Sequence, residues 1–115
     1  MKNSKFLIIL FFACLALIVS SCAKPLYYWG TYSNTYYKNV KRADEKAFDN
    51  HKENLISIIA KSEQKHTQVP PGVYAELGFL LLPDDGEAAG RYFQLEMETY
   101  PESTQLMKVL IDNLK

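Results

Sequence analysis

The sequence predicts an all-α protein: a small antiparallel helical-hairpin bundle set behind an apolar leader and an aromatic-rich lead. Three observations carry this. Apolar residues beyond position 43 recur three and four apart, and no stretch sustains the alternation of a half-buried strand. Pro-Gly and Pro-Asp-Asp-Gly clusters cut the same region into helix-length pieces. Small and large side chains, Gly78, Ala89 and Phe93, fall where two antiparallel helices would have to interlock.

Residues 1–21 open with Met1, Lys2 and Lys5 and continue as an uninterrupted apolar run from Phe6 to Val19. That run is shorter than the roughly 20 residues a helix needs to cross a bilayer, and it reads as the apolar core of a signal peptide. Its end, Val19-Ser20-Ser21-Cys22, looks like the lipobox of a bacterial lipoprotein. Small side chains at Ser20 and Ser21 leave the backbone open to a peptidase cutting between Ser21 and Cys22. The Cys22 thiol would then carry diacylglycerol through a thioether, with an N-acyl chain such as palmitate on the new amino terminus. Each buried methylene contributes about 0.8 kcal/mol, so several acyl chains anchor a protein durably. Ala23 stands where an aspartate would resemble an inner-membrane retention signal, so the expected address is the outer membrane, on its periplasmic face.

Removal of residues 1–21 from 115 leaves 94, divided here into a lead at 22–42 and a helical domain at 43–115. A chain of that size buries only about 60–65% of its unfolded surface. Loss of Lys2 and Lys5 reduces 13 basic residues to 11 against 13 acidic ones, which excludes an electrostatic nucleic-acid binder. Cys14 leaves with the leader and Cys22 is blocked by lipid, so no thiol remains for a disulfide, a metal or catalysis.

The lead is crowded with rings: Tyr27, Tyr28, Trp29, Tyr32, Tyr36 and Tyr37. Pro25 and Gly30 oppose a continuous helix, whereas Ser33-Asn34 offers a cap for a short one through Tyr36, Tyr37 and Val40. The rings either fold back as a lid on a small core or form a docking surface near the membrane, where Tyr and Trp suit the interface. Tyr27, Trp29, Tyr32, Tyr36 and, further on, Tyr74 are the candidate partner contacts.

Asp44 is the expected N-cap of a long amphipathic helix to about His66, with Phe48, Leu55, Ile58, Ile59 and Ser62 on its packed face. Val69-Pro70-Pro71-Gly72 ends it, and Pro71 can sit in the first turn of a second helix reaching Leu82. That second helix carries Glu76 as its only charge and is expected to be largely buried. After Pro83, Asp84 or Asp85 caps a third helix through Thr99, with Ala89, Phe93, Met97 and Tyr100 inward. Pro101 opens a fourth that carries Leu106, Val109, Leu110 and Leu114.

Pro71 to Pro101 resembles one tetratricopeptide-like repeat, with Tyr74, Leu77, Gly78 and Leu81 in its first helix and Ala89, Phe93 and Pro101 in its second. A non-repeat helical bundle accommodates the same pattern. The whole mature chain resembles small bacterial lipoproteins of the domain of unknown function 4810 family. The residues that carry this are Cys22, the Pro25-Leu26-Tyr27-x-Trp29-Gly30-x-Tyr32 segment, Tyr36-Tyr37-Lys38, Val69 through Leu82, and Tyr100-Pro101-Glu102-Ser103. Pro83 to Gly90 departs from the family pattern and is shorter. The resemblance implies partnership in an envelope complex with other lipoproteins, among them a curli-secretion-channel-like one, and implies no reaction.

No catalytic or metal-binding constellation stands out, and no small-molecule substrate or cofactor is indicated. Asp84, Asp85 and Glu87 lack the spaced ligands of a calcium loop. His51 and His66 are 15 positions apart on one helix, about 22 Å along its axis, and cannot share a metal. Both read as ordinary polar-face or helix-end histidines. The expected function is a lipid-anchored, non-enzymatic assembly module. The alternative is an outer-membrane lipoprotein regulating a cell-wall synthase, for which the roughly 20-residue lead reaches at most about 70 Å. A hydrolase would require a site assembled only by folding.

Overall fold

The computed structural model describes residues 2–19 and 23–114, so the expected cleavage and lipidation positions, Ser21 and Cys22, lie outside the described residues. Regular structure among those described is helical: α1 (Lys2–Val19), α2 (Tyr32–Arg42), α3 (Glu45–Gln64), α4 (Val73–Leu81), α5 (Gly86–Thr99) and α6 (Thr104–Asp112). Tyr27 and Gln68 form one isolated parallel bridge. The all-α class and the helical-hairpin arrangement are as the sequence predicts. Every side chain of α1 from Lys2 to Leu15 is exposed. Among the described residues no helix is long and apolar enough to cross a membrane.

Asp44 caps α3, its carboxylate accepting the Ala47 amide at 2.7 Å. The helix stops at Gln64, and His66 just beyond it takes the left-handed conformation that terminates many helices, with φ 52°. The next corner differs from expectation. The Val73 amide donates to the Pro70 carbonyl at 3.2 Å, and Gly72 has φ 86° and ψ −14°, which makes Pro71-Gly72 the centre of a type II turn. Pro71 therefore precedes α4, because a turn of this type favours proline first and the positive φ of its second position suits glycine.

The α4/α5 hairpin is the tightest part of the molecule. Gly78 faces Phe93 and Ala89 so closely that an added Cβ would sit 2.7 Å from Phe93 Cε1 and 3.1 Å from the Ala89 carbonyl oxygen. Asp85 starts α5, accepting the Ala88 amide at 2.8 Å. Leu55, Ile58, Val69, Val73, Tyr74 and Leu77 form one apolar cluster between α3 and α4, and Ala89, Phe93 and Met107 form a second between α5 and α6. Complete burial of Leu55, Ile58, Leu77 and Phe93 stabilises the fold by about 1.5–3 kcal/mol each.

Leu106 and Val109 are exposed, and Met107 is the buried residue of α6. Met107, Leu110 and Ile111 form the packed face at i, i+3 and i+4, which leaves Leu106 and Val109 on the other side. The α4 helix is largely enclosed, as its composition predicts. Its Val73, Tyr74, Leu77 and Gly78 are buried, but Phe79 is 58% exposed because no helix covers that side.

Candidate functional site

Tyr32 begins α2 one residue before the expected Ser33-Asn34 cap, and no residue of α2 is buried. The helix is held on α3 and α4 by a polar latch whose centre is Glu76 of α4. One carboxylate oxygen of Glu76 accepts the Tyr32 hydroxyl at 2.7 Å, and the other lies 2.7 Å from His51 Nε2. A carboxylate can only accept, so His51 carries hydrogen on Nε2, and in the neutral ring Nδ1 accepts from the Thr35 hydroxyl 2.9 Å away. Asn54 completes the seam, donating to the Thr31 hydroxyl at 2.8 Å. His51 is fully buried, with the Tyr32 and Tyr36 rings set edgewise against it. It is a tertiary tie and not the polar-face residue its sequence position indicates.

Burial raises the Tyr32 phenol above its ordinary range, and the hydrogen bond and negative charge of Glu76 push it further the same way. Burial likewise raises Tyr74 and Tyr100.

Thr35, His51 and Glu76 have the connectivity of a nucleophile, base and acid relay, and Thr35 lines a polar cleft of about 380 Å³ with Lys38, Arg42 and Glu53. The surroundings do not suit acyl transfer. Thr35 sits inside a helix, its hydroxyl also lies 3.1 Å from the Tyr32 carbonyl, and the Asn34 and Thr35 amides already donate to the Thr31 carbonyl. Among the described residues no group of three or more His, Cys, Asp or Glu could hold a metal.

A second buried carboxylate does structural work that the sequence reading missed. Glu96 of α5, almost wholly buried, accepts the Gly72 amide at 2.9 Å and the Ala75 amide at 3.3 Å. These are first-turn donors of α4, which Gly72 has no side chain to satisfy. The negative charge also sits at the positive end of the helix dipole.

The proposed contact tyrosines separate into three settings. Tyr27 is half-buried, bridged to Gln68 and hydrogen-bonded to Tyr100. Tyr74 lies in the α3/α4 core, stacked on Tyr92. Trp29, Tyr32 and Tyr36 come together: Trp29 meets Tyr32 edge-on at 5.3 Å, and Tyr32 stacks on Tyr36 at 5.8 Å. Of these three, Trp29 and Tyr36 are exposed.

Tyr36 is also one wall of an apolar groove of about 440 Å³ between α2, α4 and α6, lined chiefly by Ala75, Phe79, Leu80, Leu106 and Leu110. Glu76 is the acidic group in it, and its two oxygens are already engaged by Tyr32 and His51. No helix period in one segment could reveal this groove, because its walls come from three helices.

The geometry defines an all-helical domain with an open apolar groove and a ring-bearing helix latched beside it. The family model described as Domain of unknown function (DUF4810) matches residues 26–110, and the chain belongs to that family. Neither the curated proteins nor the solved structures give a match to this chain.

Proposed function

We propose that this chain is a lipid-anchored, non-enzymatic assembly module, held at the outer membrane through Cys22, whose α2/α4/α6 groove receives an apolar helical segment of an envelope partner. The groove carries this reading. Its lining is apolar, its one carboxylate is internally satisfied, and Phe79 and Leu106 stand 58% and 62% exposed. A partner helix could therefore bury apolar surface there without stranding a polar group, the usual logic of helix-in-groove recognition. A secretion-channel-like lipoprotein is the partner that the family resemblance brings forward.

The test is crosslinking in intact cells followed by detergent extraction and affinity recovery of the full chain. Phe79→Asp combined with Leu106→Asp is expected to abolish recovery of the channel-like partner and leave the helical melt unchanged. Recovery of a wall synthase through the same face would transfer the groove to the regulatory role. Mass spectrometry of the recovered chain should find residues 1–21 removed and Cys22 acylated. An unmodified amino terminus would end the anchoring half of the proposal.

A further inference from the structure

The lead and the body have opposite charge. Residues 23–43 contain Lys24, Lys38, Lys41 and Arg42 and no acidic residue, whereas all 13 acidic residues lie from Asp44 onward. The same basic segment also exposes apolar side chains, Leu26, Trp29, Tyr36, Tyr37 and Val40.

Helical geometry makes most of this one patch. Tyr37 and Val40 are three positions apart and share the outer face of α2, and Tyr36, four positions before Val40, borders it where α2 meets the groove. Trp29 joins the patch through its contact with Tyr32, on which Tyr36 stacks. Lys41 flanks it, its ammonium 5.4 Å from the centre of the Tyr37 ring.

We infer that this face of α2, together with Trp29, lies flat on a lipid bilayer and is held there by anionic headgroup phosphates. Exposed Tyr and Trp beside Lys and Arg suit the membrane interface, where the rings occupy the headgroup level and the cations meet phosphate. A helix is about 10–12 Å across, so even Lys38 and Arg42 on its flanks stay within about one screening length of a surface that Tyr37 touches. Arg42 lies 3.6 Å from Asp44, so Lys24 and Lys41 carry more of the attraction. Tyr32 is ten positions beyond Cys22, a span of at most about 35 Å. The docking rests on the membrane anchoring proposed above and adds an orientation to it: with α2 on the bilayer, the α2/α4/α6 groove has the membrane along one edge.

Trp29 is the single tryptophan of the chain and serves as the reporter. The full chain is reconstituted into vesicles of phosphatidylcholine alone and of equal parts phosphatidylcholine and phosphatidylglycerol. Flotation reports anchoring, and quenching of Trp29 by brominated lipid and by aqueous acrylamide reports docking. In anionic vesicles Trp29 is expected to be quenched by brominated lipid and shielded from acrylamide, and in neutral vesicles less so. Lys24→Gln and Lys41→Gln should each lower the docked-to-undocked ratio about fivefold in anionic vesicles only. Tyr37→Ser with Val40→Ser should lower it in both.

A chain that floats with both vesicles while Trp29 stays equally open to acrylamide overturns the docking and leaves the anchoring standing. Shielding that arises only when a partner protein is added reassigns the face to protein and overturns it as well. Failure to float with either vesicle overturns both.

Discussion

The α4/α5 hairpin and the α2 helix are held to the molecule by different physics. Between α4 and α5 the contact is one of shape: Gly78 yields space that Phe93 fills, Ala89 keeps the backbones close, and a single added methyl would collide. Against α3 and α4, α2 buries no residue completely and depends on hydrogen bonds to His51, Glu76 and Asn54 and on ring edges. The seam of Gly78, Ala89 and Phe93 contains no titratable group and is intolerant of volume change. The α2 contact tolerates volume change and responds to proton exchange, so α2 is the part of the domain that conditions can loosen while the hairpin stays folded.

The largest expected effect breaks the hairpin side of this contrast. Phe93→Ala empties the space beside Gly78 and should destabilise the domain by about 3–5 kcal/mol, read as a loss of the cooperative helical melt in chemical denaturation. Next comes the carboxylate that supports α4 from α5. Glu96→Ala leaves the Gly72 and Ala75 amides without their acceptor and should cost about 2–3 kcal/mol, while Glu96→Gln, which keeps one oxygen, should recover part of that. Equal losses in the two variants would show that packing, and not capping, is what Glu96 supplies.

The smallest effect sharpens the α2 side. Tyr32→Phe removes one hydrogen bond to Glu76 and should cost about 1 kcal/mol, with faster amide exchange confined to α2. Its signature is the pH dependence. Burial and Glu76 raise the folded-state phenol above its ordinary 10.0, so above that pH the folded protein binds more protons than the unfolded chain. The contribution is therefore complete below pH 10 and declines as pH rises through the alkaline range. Denaturation between about pH 9 and 11 should show a shallower decline for Tyr32→Phe than for the parent chain. Tyr74 and Tyr100, raised by burial in the same direction, supply the slope that remains.

How far the sequence anticipates the fold follows from the same contrast. The long α3 helix with its Asp44 cap, the break near Gly72, the Asp85 start of α5 and the Gly78–Phe93–Ala89 contact are all encoded in short-range spacing, and each is present. In α6 nearly every position from Leu106 to Ile111 is apolar, so spacing alone allows more than one packed face, and the one used is Met107, Leu110 and Ile111. The latch is invisible for another reason. Its bonds join residues 16, 25 and 44 positions apart, and no local pattern marks a histidine or glutamate that will find its partner on another helix. Two signals were nonetheless present: Glu76 is the lone charge in an apolar helix, and Glu96 lies three residues after Phe93 on the buried side of α5.

The Tyr27–Gln68 bridge has a mechanical meaning. It stands between the amino-terminal residues and α2, and the Tyr27 phenol is fastened to Tyr100, whose own hydroxyl donates to the Val69 carbonyl. Tension applied through residues ahead of Leu26 is thus delivered first to the corner joining α3 and α4. A pull from that end would therefore meet this clasp before it reaches the latch around Glu76.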